Sequence, residues 1–88
     1  MKIDIEKLKK KILYRSQYRG TREMDKLLYS FVSDNINDMN EVKLLSLEKF
    51  LDIEDEKLYR FYNNIDQDLQ FEDEYILSLF KKFKFNIK

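Results

Sequence analysis

One glycine and no proline occur among the 88 residues, and this near absence of chain breakers constrains the fold more than any other feature. β-Sandwiches and barrels depend on glycine and proline for their many turns, so such architectures are disfavoured. A chain of this length supports one domain with a thin core, to which seven phenylalanines and six tyrosines contribute large apolar surfaces. We therefore predict an all-α fold, a small five-helix bundle forming a single domain over residues 1–88.

Five segments show the apolar spacing of amphipathic helices. The clearest is residues 21–33, whose apolar side chains fall at i, i+3, i+4, i+7 and i+8. Residues 41–51, with Val42 among their apolar positions, are apolar over more than one face and are predicted to form the most buried helix. The other helices are predicted at residues 4–18, around Leu58, Phe61, Tyr62 and Ile65 with residues 63–64 closing that element, and at residues 72–84.

Short polar side chains predict where these helices begin. Asp4, Thr21 and Asn40 are placed to cap the first three helices. Residues 52–55 resemble a capping sequence for the fourth, with one acid at the cap and another three positions later. Residues 34–40 are rich in side chains that bond their own backbone, and they are predicted to form a loop.

Lysines are concentrated near the two ends of the chain. Those on the polar face of the first helix are predicted to be solvated, with contact to an anionic surface or a partner as the alternative. Those near the end of the last helix complement the helix dipole. The two groups are Lys7, Lys9, Lys10 and Lys11, and Lys81, Lys82 and Lys84.

Charge and residue usage argue against several classes of function. Seventeen basic residues balance seventeen acidic ones, whereas proteins that bind nucleic acids usually carry a basic excess, so no nucleic-acid partner is expected. Without cysteine or histidine, the chain lacks disulfides, thiolate chemistry and the commonest general base and metal ligand. There is also no glycine-rich phosphate loop and no serine elbow. We predict no catalytic residue, no metal site and no enzymatic activity.

The sequence also predicts where the protein works. No run of about 20 apolar residues is present that would span a bilayer, and the first residues do not resemble a secretory signal. We therefore expect no integral membrane segment and a monomer when free. The expected location is the cytoplasm of a bacterium, or the mitochondrial matrix of a eukaryote.

The sole glycine, Gly20, lies between charged residues where the first two helices meet. Glycine adopts a positive φ without steric cost, so a sharp redirection of the chain is predicted here. Glu23 and Asp25 fall in the first turn of the second helix, a favourable place for carboxylates. On a helical wheel Glu23 lies at the edge of the apolar face and Arg22 nearly opposite. Because a simple connector needs no such charges, Arg19, Arg22 and Glu23 are candidates for recognition, with a purely structural corner as the alternative.

At this corner the sequence resembles the succinate dehydrogenase assembly factor family, the flavinators. The hallmark Arg-Gly-x-x-Glu is represented by Arg19, Gly20 and Glu23. The resemblance covers roughly residues 8–65. It is supported by Tyr14-Arg15-Ser16, by Asp25, Leu27, Leu28 and Phe31, and by a second block of Glu48 to Leu51, Asp55 and Leu58-Tyr59.

The resemblance implies a five-helix protein without catalytic activity of its own. Such a protein binds the flavoprotein subunit of succinate dehydrogenase, or of the related fumarate reductase, and promotes covalent attachment of FAD to a histidine of that subunit. The FAD belongs to the partner, so no cofactor is expected to be held stably by this chain. The alternatives are a generic helical protein-interaction adaptor or an antitoxin-like binder.

Carried onto this chain, the resemblance places the partner contact at the corner. Arg19 and Glu23 would contact the partner near its flavin site, and Gly20 would permit close approach of the backbone. The supporting residues would be Arg15, Arg22 and Asp25. The chain departs from the family pattern at Tyr18, where a second basic residue is common, and at Phe61, where tryptophan is usual.

Overall fold

Five α-helices make up most of the chain in the computed structural model, which describes residues 4–66 and 69–84. They are α1 (Ile5–Gln17), α2 (Arg22–Asn35), α3 (Glu41–Phe50), α4 (Asp55–Tyr62) and α5 (Glu74–Lys82), with a 3-10 turn over Ile36–Asp38 between α2 and α3. Helix α1 packs against α2 and α3, and α5 packs against α3 and α4. The predicted all-α, five-helix fold is confirmed for the described residues.

Side-chain caps fix the starts of four helices. In each, a side-chain oxygen accepts a hydrogen bond from the backbone N–H three residues later, which satisfies one of the donors left free in the first turn. The distances are 3.2 Å for Asp4, 3.2 Å for Thr21, 2.9 Å for Asn40 and 3.2 Å for Asp73. The three predicted caps at Asp4, Thr21 and Asn40 are confirmed.

The loop predicted over residues 34–40 is wrong for residues 34–38, while residues 39–40 lie outside any helix, as predicted. Helix α2 continues to Asn35, whose side-chain amide donates to the Phe31 carbonyl oxygen at 2.8 Å. The 3-10 turn follows directly, and it buries Ile36, while Met39 just beyond it is also buried. Burial of these two apolar side chains outweighs the local preference of Asn and Asp for turns.

The capping sequence predicted at residues 52–55 is also wrong. Glu54 occupies the N-cap position of α4 and forms no side-chain cap hydrogen bond. Asp52 lies before the helix, where its carboxylate pairs with Arg15 of α1. The Asp52 carboxylate therefore forms a long-range ion pair with Arg15 and does not form the helix cap that the local pattern predicted. The end of α4 agrees with the prediction, since Asn63 is its C-cap.

Three fully buried phenylalanines form the centre of the core. The ring centroids of Phe31 and Phe50 lie 6.0 Å apart, and Phe80 lies 5.1 and 5.2 Å from them. These rings join α2, α3 and α5, and tilted or edge contacts at such distances are favourable. Three positions of the predicted apolar pattern are exposed instead of joining the core. They are Val42, Ile65 and Tyr75, which are 67%, 58% and 55% exposed.

Three of the lysines near the ends of the chain make contacts within the molecule that the sequence does not predict. Lys9 donates to a side chain of the 3-10 turn at 3.3 Å, and Lys11 Nζ lies 3.0 Å from Glu48 Oε2 of α3. The predicted solvated lysine face on α1 is confirmed for Lys7, Lys10 and Lys11, which are exposed, whereas Lys9 is half-buried. Lys81 lies in the last turn of α5, as predicted, and its Nζ is also 4.5 Å from the ring centroid of Phe61.

The start of α5 is tied to α3 by an ion pair between Asp73 and Lys43. Lys43 Nζ lies 3.0 and 3.1 Å from the two carboxylate oxygens of Asp73. Burial raises the pKa of Asp73, but hydrogen bonds from Lys43, from the backbone N–H of Ile76 and from Ser46 outweigh that effect, so the pKa lies below its ordinary value.

We expect the substitution Asp73→Asn, which keeps a capping oxygen but removes the charge, to lower the free energy of unfolding by about 1 kcal/mol at neutral pH. A carboxylate with a lowered folded-state pKa contributes stability above its unfolded pKa of about 3.9 and loses it as the pH falls through the folded-state value. The difference between variant and parent should therefore shrink as urea unfolding is repeated from pH 5 toward pH 3. Asp38→Asn, at an exposed position, is the control. A difference that stays constant with pH would contradict this account of Asp73.

Candidate functional site

The corner between α1 and α2 is built around Gly20, but not for the predicted reason. Gly20 does not have a positive φ, so the prediction of a left-handed turn is wrong. Among the described residues other than glycine, the left-handed conformation is found at Asn64, with φ 60°, after α4. What Gly20 meets is the Asp55 carboxylate. A Cβ at Gly20 would lie 3.3 Å from Asp55 Oδ2, the same oxygen that accepts a hydrogen bond from Gly20 N at 2.7 Å.

The neighbouring Arg19 binds the linker between α3 and α4. Its Nε donates to Asp55 Oδ1 at 2.7 Å, and one Nη donates to the Ile53 carbonyl oxygen at 2.8 Å. The other Nη donates to the carbonyl oxygen of Leu51. Its side chain is only 11% exposed. Arg19 therefore joins the corner to the linker and to the start of α4, because all three guanidinium nitrogens donate hydrogen bonds within the molecule.

Asp25 ties the corner from the α2 side. Its side chain is half-buried in the first turn of α2, as predicted, and Oδ1 accepts a hydrogen bond from the backbone N–H of Arg19. The corner is thus held by two carboxylates, one from α2 and one from α4. Both accept hydrogen bonds from the backbone of the segment that connects α1 to α2.

Three basic residues spaced four apart along α1 and the corner reach three acids of α3, the linker and α4. Lys11 pairs with Glu48, Arg15 with Asp52 and Arg19 with Asp55. We call this row of three ion pairs the α1 ladder. Its members differ in burial, since the Asp52 side chain is 66% exposed and that of Asp55 only 22%. The first block of the resemblance therefore meets the second block in space.

Arg22 and Glu23 differ from the other charges of the corner. Both are exposed, and neither side chain has a hydrogen bond or ion pair within residues 4–66 and 69–84. They line an open groove between the start of α2 and α4, whose walls are residues 20–24, Asp55, Glu56 and Tyr59. We call it the corner groove. Its lining combines three charges that are unpaired among the described residues, those of Arg22, Glu23 and Glu56, with a partly exposed tyrosine, which suits contact with another protein.

The six residues predicted for partner binding therefore fall into two groups. Arg15, Arg19 and Asp25 have their side chains engaged within the molecule, and the Gly20 N–H is engaged as well. Only Arg22 and Glu23 present unpaired charges to solvent. No contact with a partner is tested by these observations, so partner binding at all six positions stays a prediction.

Sequence reasoning missed Asp55 and Tyr59 as parts of the site. Asp55 was assigned to a capping sequence and to the second block of the resemblance but not to the site, yet it contacts both Arg19 and Gly20. Tyr59, 42% exposed, lines the corner groove. Both residues belong to the second block of the resemblance, so the signal was present in the sequence. The sequence alone did not show that the two blocks are adjacent in the fold.

The described part of the chain contains neither a cluster of metal ligands nor a membrane-spanning helix. No group of three or more acidic residues there is arranged to hold a metal ion. None of the helices found between residues 4 and 84, outside the undescribed positions 67 and 68, has the length and apolarity needed to cross a membrane.

Comparison with known proteins identifies relatives of the chain. The family model described as the flavinator of succinate dehydrogenase matches residues 10–84. A protein of Dictyostelium discoideum named succinate dehydrogenase assembly factor 2, mitochondrial, is 40% identical over 58 residues, which are 66% of this chain and 41% of that protein. A protein of the same name from Arabidopsis thaliana is 35% identical over 57 residues, 65% of this chain and 30% of that protein. The chain thus spans less than half the length of these relatives. No solved structure matches it significantly.

Proposed function

The chain belongs to the family of succinate dehydrogenase flavinators, and on that premise we propose that it is an assembly factor that binds the flavoprotein subunit of succinate dehydrogenase. Binding would promote covalent attachment of FAD to that subunit. The FAD and the reacting groups belong to the partner, and this chain contributes binding without catalysis of its own. It would act where the partner acquires its flavin, in the bacterial cytoplasm or the mitochondrial matrix.

The observation that carries this proposal is the pair of unpaired charges on the α2 wall of the corner groove. Arg22 and Glu23 stand in the first turn of α2, next to a corner that internal contacts hold in place. A fixed backbone beneath these side chains limits the ordering cost of binding to the side chains themselves, and the two charges fix the orientation of a partner. Tyr59, on the opposite wall of the groove, adds an aromatic surface of the kind enriched in protein interfaces.

Binding can promote a reaction of the partner only through a difference in affinity. A protein that bound every conformation of the flavoprotein subunit equally would shift none of them. We therefore propose that the corner groove binds more tightly to the conformation in which the flavin and the acceptor histidine are close. The chain then raises the population of that conformation.

The test is covalent flavinylation in cells that express the flavoprotein subunit together with this chain. We expect Glu23→Ala to reduce the in-gel flavin fluorescence of the subunit by about tenfold when the assembly factor is limiting. Loss of a central interface side chain costs about 1–2 kcal/mol, and 1.4 kcal/mol corresponds to a factor of about ten in affinity.

The matched control is Glu41→Ala. Glu41 is also an exposed glutamate in the first turn of a helix, but it lies on α3. Its substitution should leave the covalent flavin unchanged. Equal fluorescence with the parent, the Glu23 variant and the Glu41 variant would contradict the proposed role of the corner groove.

A generic adaptor or antitoxin-like binder is the second candidate, and one observation favours it. Arg19 and Gly20, two of the three hallmark residues, make contacts within the fold, as a purely structural corner requires. This candidate predicts that variants of Glu23 keep every interaction of the protein. The flavinylation experiment therefore distinguishes the two candidates.

A further inference from the structure

We propose that Asp55 is the positioning residue of the corner groove, because its two carboxylate oxygens hold the side chain of Arg19 and the backbone of Gly20 at the same time. The inference deepens the proposed function and rests on it for its biological consequence. The positioning itself can be tested without the partner.

The two hydrogen bonds of Asp55 fix both the position and the orientation of the corner. Oδ1 accepts from Arg19 Nε at 2.7 Å and Oδ2 accepts from Gly20 N at 2.7 Å. One planar group therefore binds two consecutive residues, one through its side chain and the other through its backbone. With the Asp55 side chain 22% exposed and that of Arg19 11% exposed, these charge-assisted bonds are partly shielded from water and correspondingly strong.

Asp55 also joins the two walls of the groove. It is the first residue of α4, and Tyr59 follows one turn later on the same helix. The opposite wall begins at Gly20 and continues into the first turn of α2, where Arg22 and Glu23 lie. The other side-chain bonds of Arg19 reach the linker carbonyls of Leu51 and Ile53, and its backbone N–H donates to Asp25 of α2. Asp55 is thus the member of this contact set that belongs to α4.

The same contact accounts for a glycine with an ordinary φ. The carboxylate occupies the space beside Gly20, so a Cβ there would lie 3.3 Å from Asp55 Oδ2. Nearby acids do not replace Asp55. Asp52 pairs with Arg15 in a more exposed part of the α1 ladder, and Glu56 is exposed on the groove. Gly20 therefore leaves room for the Asp55 carboxylate, which a Cβ at this position would displace by a few tenths of an ångström.

The experiment uses the untagged chain labelled with ¹⁵N-glycine. Because Gly20 is the only glycine, the amide spectrum contains a single resonance that reports directly on its N–H. A hydrogen bond to a carboxylate moves an amide proton downfield. We expect Asp55→Asn to move the Gly20 proton upfield and to speed its hydrogen exchange, while Asp52→Asn leaves both unchanged.

The functional arm measures covalent flavin in the co-expression experiment. Asp55→Asn should reduce it several-fold, whereas Asp52→Asn and the core substitution Ile76→Val should not. Ile76 is fully buried in α5, and its conservative truncation destabilises the fold by about 0.5–1.5 kcal/mol without touching the corner. Its inclusion separates loss of positioning from a general loss of stability.

Each outcome decides the inference. An unchanged Gly20 resonance in Asp55→Asn overturns it, as does a shifted resonance with full flavinylation. If the parent chain itself fails to promote flavinylation, the proposed function is wrong, and the resonance still decides the contact. Should Asp55→Asn fail to fold, Asp55→Glu keeps the charge but displaces the carboxylate by one methylene, and an unchanged Gly20 resonance in that variant overturns the inference equally.

Discussion

Replacing Arg19 with alanine is expected to lower the free energy of unfolding by about 2–4 kcal/mol, a large fraction of the roughly 5–10 kcal/mol typical of a small domain. The substitution leaves the largely buried carboxylate of Asp55 without its cation, and it leaves the carbonyl oxygens of Leu51 and Ile53 without their donor. Breaking a buried pair from one side costs more than the pair contributes, because the remaining charge stays desolvated. Urea unfolding measures the loss as a lower midpoint with an unchanged slope.

Arg15→Ala is the matched control for this prediction. Arg15 lies one turn before Arg19 on the same α1 ladder and pairs with the exposed Asp52. Exposed pairs contribute about 0–1 kcal/mol, so this variant should unfold close to the parent. An equal loss of unfolding free energy in the two alanine variants would contradict this account, because the internal contacts of Arg19 would then contribute no more than the exposed pair of Arg15.

Gly20→Glu is expected to have the second large effect, on both stability and flavinylation. It introduces a Cβ that would lie 3.3 Å from Asp55 Oδ2 and brings a second negative charge to that carboxylate. Like charges this close repel, so the Asp55 contact to Gly20 N breaks and the corner moves. We expect a loss of about 2–3 kcal/mol in the free energy of unfolding, together with loss of covalent flavin in the co-expression experiment.

Gly20→Ala tests the effect of added volume at this position without the added negative charge of glutamate. Because φ at Gly20 is not positive, alanine incurs no backbone strain, and a shift of a few tenths of an ångström relieves the contact. We expect a change within about 1 kcal/mol and most of the flavinylation retained. If alanine were as damaging as glutamate, charge repulsion at Asp55 would not be the cause.

The parts of the fold that could be predicted are those decided by neighbours in sequence. Caps such as Thr21 and Asn40 bond a backbone N–H only three residues away, so residue type and position are sufficient evidence. The apolar spacing of α2 likewise reports one helix face. The loop prediction was wrong for residues 34–38 because the burial of Ile36 and Met39 is a tertiary effect that local propensity does not contain.

The corner between α1 and α2 shows more clearly what could not be predicted from the sequence. The hallmark residues could be located in the sequence. The sequence did not show which of them make contacts within the fold and which face solvent. Arg19 and Asp55 are 36 residues apart, and no local pattern indicates that they form a pair. The positive φ predicted for Gly20 was wrong because the glycine serves a close contact with that distant carboxylate. The available long-range signal was the resemblance, whose two blocks contain Arg19 and Asp55 respectively.

The central claim is that Arg22 and Glu23 bind the flavoprotein subunit while the contacts around Asp55 hold them in place. Its most direct test is the equilibrium affinity of the purified chain for the host's flavoprotein subunit prepared without covalent flavin. We predict that the double variant Arg22→Ala/Glu23→Ala binds at least about tenfold more weakly than the parent, with an unchanged unfolding midpoint, while Glu41→Ala binds as the parent does. Equal affinity of the parent and the double variant would contradict the claim.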